Sequence, residues 1–207
     1  MSEPKFKYVY GLTKTSCLNG SKIKGINGMP VYEFKCRDIF VVMSDTDSLE
    51  CDASEENLKT HQTVLAALIK RGTVVPMAFG TVFKNDEILV AILEKSYRVI
   101  KKSMELLEGK VELGVKVISP KTLGNPEMRQ EFKNEIVGEL GREAVNSVEG
   151  RLFSDRLLLN SNFLVEKGRL EKFSQAVEKI EKKHPEFKVH YTGPWPPYSF
   201  INIKIGE

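Results

Sequence analysis

The chain has 207 residues, 41% of them hydrophobic and 29% charged, which is the balance of a globular protein with chain enough for one large domain or two small ones. Its 31 Lys and Arg against 28 Asp and Glu leave a net charge of +3, interspersed rather than clustered, and this argues against a nucleic-acid partner. The longest uncharged stretches, 72–83 and 189–203, are too short to span a bilayer and contain proline; residues 1–5 lack the apolar core of an export signal, so a cytoplasmic protein is expected.

A first strand is predicted over 6–12, where apolar and polar residues alternate. Residues 13–30 are rich in Gly, Ser, Asn and Lys and read as a loop, with Asn27-Gly28 as its clearest turn. Residues 31–36 alternate again, with Tyr32, Phe34 and Cys36 as the apolar face, and 39–43 is a continuous apolar run suited to a buried central strand. Arg37-Asp38 can link the two tightly. An acidic loop follows over 44–54. Asp45, Asp47 and Glu56 imitate the ends of a calcium loop, but Leu49 stands where an oxygen ligand belongs and Glu50 where the turn needs glycine, so no metal site is expected.

Ser54 is placed to cap a helix, with Glu55 and Glu56 in its first turn. Leu58, His61, Leu65, Leu68 and Ile69 recur at helical spacing up to Arg71, and Gly72 is the stop. Residues 73–83 favour a strand interrupted by Pro76 and Gly80. Leu89, Leu93, Tyr97, Ile100, Met104 and Leu107 then mark a helix over 86–108. Four strands and two helices predict an α+β domain over 1–108 with its helices packed on one sheet face.

The second domain is expected over 109–207. Val111, Leu113, Val115 and Val117 alternate as a strand. Asn125 caps the next helix, Pro126 occupies its first position, and Met128, Phe132, Ile136, Leu140, Ala144 and Val148 follow four apart. Residues 157–165 favour a strand. Leu170, Phe173, Val177 and Ile180 mark a last helix, ended by His184-Pro185, before strands over 187–191 and 198–205. A short strand near Leu152-Phe153 would complete the βαββαβ order of a ferredoxin-like fold. The fold expected is therefore α+β in two domains, each a modified ferredoxin-like sheet with helices packed on one face.

Chemical motifs are sparse. Cys17, Cys36 and Cys51 are odd in number and widely spaced, so neither a zinc site nor a redox pair is available. No phosphate loop, dinucleotide fingerprint, metalloprotease helix or nucleophile elbow is present. His61 lies on the apolar face of its helix and reads as a satisfied, buried side chain. The cations of 167–183 are interleaved with Glu166, Glu171, Glu178 and Glu181, the pattern of a solvated helix face. No catalytic, cofactor or metal residues are assigned. An enzyme or small-ligand-binding regulatory domain on a ferredoxin-like fold is the alternative, and it would require a pocket of convergent polar groups.

The informative segment is Thr192-Gly-Pro-Trp-Pro-Pro-Tyr-Ser-Phe200. Three prolines fix the backbone and delete three N–H donors, and each residue before them is pushed to extended geometry. Gly193 supplies a turn. The result is a stiff platform carrying Trp195, Tyr198 and Phe200, which loses little entropy on docking, either onto its own protein or onto a partner.

With these residues in view, the sequence resembles the gas vesicle protein GvpL/GvpF family. The segment 192–200 looks like the family's C-terminal signature. Val75-Pro-Met-Ala-Phe-Gly-Thr-Val-Phe83 looks like its Leu-Pro-x-Arg-Phe-Gly-Thr-x-Phe stretch, with Ala78 in place of the arginine. His61 and Leu65, Tyr10-Gly11, and Glu112 with Lys116-Val117 match further positions, while Leu113 stands where an aromatic is common. The resemblance implies a two-domain accessory or minor structural protein of gas vesicle formation, without catalysis or cofactor. It implies a cytoplasmic protein associated with the gas vesicle that contacts the hydrophobic major shell protein and other accessory proteins. The residues it marks as partner-binding or interdomain are Phe79, Gly80, Gly193, Pro194, Trp195, Pro196, Pro197, Tyr198 and Phe200.

Overall fold

The structure, a computed structural model, describes residues 6–122 and 124–201. These divide into two compact units, one over 6–108 with Ile201, the other over Gly109–Phe200. The protein is α+β, and its described residues form two antiparallel sheets and four helices.

In the first unit β1 (Phe6–Thr13) pairs with β3 (Ile39–Thr46), and β3 pairs with β2 (Val31–Cys36) across the tight Arg37-Asp38 link. Helix α1 (Glu55–Arg71) leads to β4 (Val74–Pro76), which joins the other edge of β1, as does β5 (Val82–Phe83). The order is β2-β3-β1-β4. The Ser54 side chain accepts from Asn57 N–H at the start of α1, and Lys70 and Arg71 complement the dipole at its end. Val64, Leu65, Leu68 and Ile69 of α1 pack with Tyr8, Tyr10, Val42 and Val74.

The expectation of helices on one face fails in this unit. Successive strand residues point to opposite faces, and Val41 and Met43 are as deeply buried as Val42. Helix α2 (Asp86–Leu107), capped by Asn85, packs against β4 and β5 on that second side. Its Tyr97 and Lys101 both donate to Asp38 of the β2–β3 link, at 2.6 and 2.7 Å. Those two hydrogen bonds hold the Asp38 carboxyl down at about 2. A central run of unbroken apolar residues is what a sheet covered on both faces requires.

Where a helix would join the first two strands of a βαββαβ unit, the first unit has the loop 14–30. Glu33 accepts from Cys17 N–H, Leu18 N–H and Ser16 Oγ, and Arg71 donates to the carbonyls of Cys17 and Leu18 at 2.8 and 3.0 Å. Two side chains of opposite sign thus satisfy backbone groups that a helix would have satisfied internally.

In the second unit β6 (Lys110–Ile118) lies between β8 (Leu157–Glu166) and β9 (Lys188–Trp195), and β7 (Asn146–Glu149) pairs with β8. Helices α3 (Pro126–Gly141) and α4 (Leu170–Lys183) connect them, giving the order β7-β8-β6-β9. Ile136 and Leu140 of α3 share one core with Phe173, Val177 and Ile180 of α4 and with Leu113, Val115, Phe163 and Val165 of the sheet. Here both helices do lie on one face.

Three local expectations are corrected. Helix α3 stops at Gly141, and Val148 belongs to β7: the four-residue repeat continues in the sequence, but glycine and a polar stretch let the chain leave the helix. The short strand is 146–149, with all four residues exposed, while Leu152 and Phe153 lie in the loop beyond it. Residues 198–200 form a single 3-10 turn rather than the start of a strand, because Tyr198 N–H and Phe200 N–H return to the carbonyls of Pro196 and Pro197. The rest of that expected strand, 202–205, lies outside the described residues.

Candidate partner-binding site

Each unit carries one of the two motif segments. In the first, 76–83 follows β1 but breaks from it at Ala78. Met77 N–H donates to Tyr10 O, Val9 N–H to Thr81 O, and Gly80 makes the intervening turn at φ +80°. His61 reaches this turn from α1 and is 2% exposed. Its Nε2 lies 3.2 Å from the Met77 carbonyl, which can only accept, so Nε2 carries the proton. Nδ1 therefore accepts from the Tyr8 hydroxyl at 2.9 Å, and that hydroxyl in turn accepts from Gly80 N–H at 3.2 Å. Burial pushes the imidazole pKa down to about 4, so His61 is a neutral structural link at pH 7. Phe79 packs edge-on against both Tyr8 and His61 and is half-buried. Ala78 is exposed beside it, so the cation expected of the family pattern would stand at the surface and is missing here.

In the second unit Thr192–Trp195 continues β9 along the sheet edge. Gly193 has φ +119°, and a Cβ there would lie 2.9 Å from both Glu112 O and Leu113 Cδ2, so only glycine fits. The cis bond is at Gly193-Pro194. Pro196 and Pro197 are buried, and Phe200 is half-buried. Trp195 remains 46% exposed and Tyr198 40%.

What holds the segment is Glu112. It is 7% exposed, and its two oxygens accept from Ser199 N–H and Ser199 Oγ–H, both at 2.8 Å. Asn162 Nδ2 donates to the same Ser199 oxygen at 2.7 Å. Burial raises the Glu112 pKa, and the Ser199 hydrogen bonds partly offset it. Glu112 and the signature segment, recognised separately in the sequence, are thus one structure. Sequence reasoning missed Ser199 and Asn162 as its clamps; Glu112 stands at an outward position of an alternating strand, as Lys116 does, and nothing in that pattern marks it as buried. Among the described residues no group of three His, Cys, Asp or Glu is placed to hold a metal ion, and no helix is long and apolar enough to cross a membrane.

The profile of the family described as "Gas vesicle synthesis protein GvpL/GvpF" matches residues 6–131 and 125–202. The chain belongs to the GvpL/GvpF family. It is 34% identical over 203 residues to gas vesicle protein F1 of Halobacterium salinarum, covering 96% of this chain and 94% of that one. To gas vesicle protein F of Haloferax mediterranei it is 35% identical over 204 residues, with the same coverage. The fold matches the crystal structure of GvpF from Anabaena sp. PCC7120 with a TM-score of 0.87, at 22% identity over 96% of this chain and 97% of that one. GvpF from Microcystis aeruginosa matches at 0.86 and 20% identity, over 96% and 100%. As a GvpL/GvpF protein the chain takes part in gas vesicle formation, and the family is structural rather than enzymatic.

Proposed function

We propose that this protein is an accessory or minor structural component of gas vesicle formation. It works in the cytoplasm, associated with the vesicle, and binds the major shell protein and other accessory proteins. The partner-binding residues are Phe79 and Gly80 in a first domain, 1–108, and Gly193, Pro194, Trp195, Pro196, Pro197, Tyr198 and Phe200 in a second, 109–207. Each domain is read as a ferredoxin-like sheet, the first one modified by the loop in place of a helix. The observation that carries this reading is Trp195: a large aromatic, 46% exposed, on backbone fixed by prolines and clamped through Glu112 and Ser199. A rigid exposed aromatic is the kind of anchor that dominates binding at protein interfaces. Shell subunits before assembly present large apolar surfaces that such an anchor can engage.

The test is capture of the purified shell protein by the full chain and by Trp195→Ala. Affinity should fall by about 2 kcal/mol or more while the thermal melt stays within a degree or two. Undiminished capture by the variant would refute the assignment.

A further inference from the structure

Among the described residues, one face of the second sheet carries no helix. Glu112, Asn162 and the 196–200 segment occupy one end of it, and no described segment covers the other. There Lys116 of β6 is paired with His190 of β9, and two pairs along, on the same face, Ile118 and Lys188 add a second lysine. Lys116, Lys188 and His190 are all exposed. The loop 150–156 borders this end: Asn160 of β8 donates to Arg151 O, and Ser119 N–H, just past β6, donates to Arg156 O. Phe153 of this loop is 71% exposed and receives the Lys116 ammonium 5.9 Å from its ring centre.

The ion pairing of the unit is uneven. On the helical side Lys179 and Arg142 pair with Glu139, Lys183 with Glu135, and Lys182 with Glu178. Lys116, Lys188, Arg151 and Arg156 have no carboxylate within salt-bridge distance among the described residues, and the loop itself offers a single carboxylate, Asp155. Two lysines on the strands and two arginines in the bordering loop are thus left without an ion pair among the described residues, and Lys116 lies against the one exposed phenylalanine of that loop.

We propose that this open sheet end is a second docking surface, distinct from Trp195, and that its occupant is an acidic protein segment carrying an apolar residue. The carboxylates would meet Lys116, Lys188, Arg151 and Arg156, and the apolar side chain would cover Phe153. A single-stranded nucleic acid fits less well. Base stacking on such a sheet needs aromatic side chains on the central strands, and this face presents Gly114 and Lys116 on β6 and Asn160 and Asn162 on β8.

The experiment is fluorescence anisotropy of the full chain with a labelled peptide of repeated Glu-Glu-Leu, against a labelled oligouridylate of equal charge. The peptide should bind saturably at low salt and about tenfold more weakly when salt is raised severalfold. Lys116→Glu with Lys188→Glu should weaken it by about tenfold or more, and Lys116→Gln with Lys188→Gln by less, with melts unchanged. Lys172→Glu with Lys182→Glu on α4, and Trp195→Ala, should leave peptide binding intact, which separates this surface from the shell-protein contact. Absence of peptide binding, equal loss in the α4 variant, or tighter binding of the oligouridylate would each overturn the proposal.

Discussion

In both units the third strand in sequence lies between the second and the first, and the first pairs with the fourth, yet only the second unit joins its first two strands through a helix. The first unit puts a loop there, fixed by Glu33 and Arg71, and places its spare helix, α2, on the opposite face of the sheet. Its sheet is consequently buried on both sides. The second unit keeps α3 and α4 on one side and leaves the other to polar side chains, the signature segment and the open basic end. One strand order therefore supports two kinds of unit: one whose sheet is a sealed core, and one whose sheet is half core and half surface.

The largest expected contrast between them is in acid. Burial holds His61 at about 4, below its ordinary 6.5, so the folded first unit binds this proton less readily than the unfolded chain does. Stability contributed above 6.5 is lost as pH falls toward 4, about 3 kcal/mol in all. Glu112 in the second unit has the opposite sign. Its raised pKa means the folded state holds the proton more readily, so its contribution is greatest below the ordinary carboxylate range and is lost as pH rises through the raised value. Urea unfolding at pH 7 and pH 4 can separate the units. Trp195, the only tryptophan, reports the second; reaction of buried Cys17 and Cys36 with a dithiodipyridine reagent reports the first. A first unit equally resistant at both pH values would break the comparison.

The loop that replaces a helix should be more sensitive than the helix it replaces. Glu33→Ala leaves the N–H groups of Cys17 and Leu18 without their acceptor and should cost about 2 kcal/mol in chemical denaturation. Asn125→Ala, at the cap of α3, should cost about 1 kcal/mol. The reverse ranking would show that the loop is held by its apolar contacts instead. The smallest effect concerns the second core, where the Ser161 hydroxyl is buried without a hydrogen-bond partner among the described residues. Ser161→Ala should raise stability by up to about 1 kcal/mol, read as a higher urea midpoint with unchanged slope.

The elements most legible in the sequence were those whose own residues carry a strong period. The buried stripe of α2, the caps of α1 and α3, and the apolar run of β3 all have local causes. What escaped has causes elsewhere in the chain. Strand β7 is exposed at every position, so no alternation marks it, and it exists because β8 offers an edge. The placement of α2 on the far face depends on Asp38, Tyr97 and Lys101 meeting from distant positions. The candidate site was half legible. The signature segment announces itself through its prolines, but Glu112 and Ser199 are 87 residues apart and nothing in either neighbourhood names the other.

The prolines of the signature have one more effect. Strand β9 is an outer strand of its sheet, and the exposed border of a sheet is where another chain can add itself and propagate. Pro194, Pro196 and Pro197 supply no amide donors, so the stretch that carries Trp195 is a poor template for such growth. Trp195 can thus stand exposed on a sheet border without offering that stretch of backbone to a further strand.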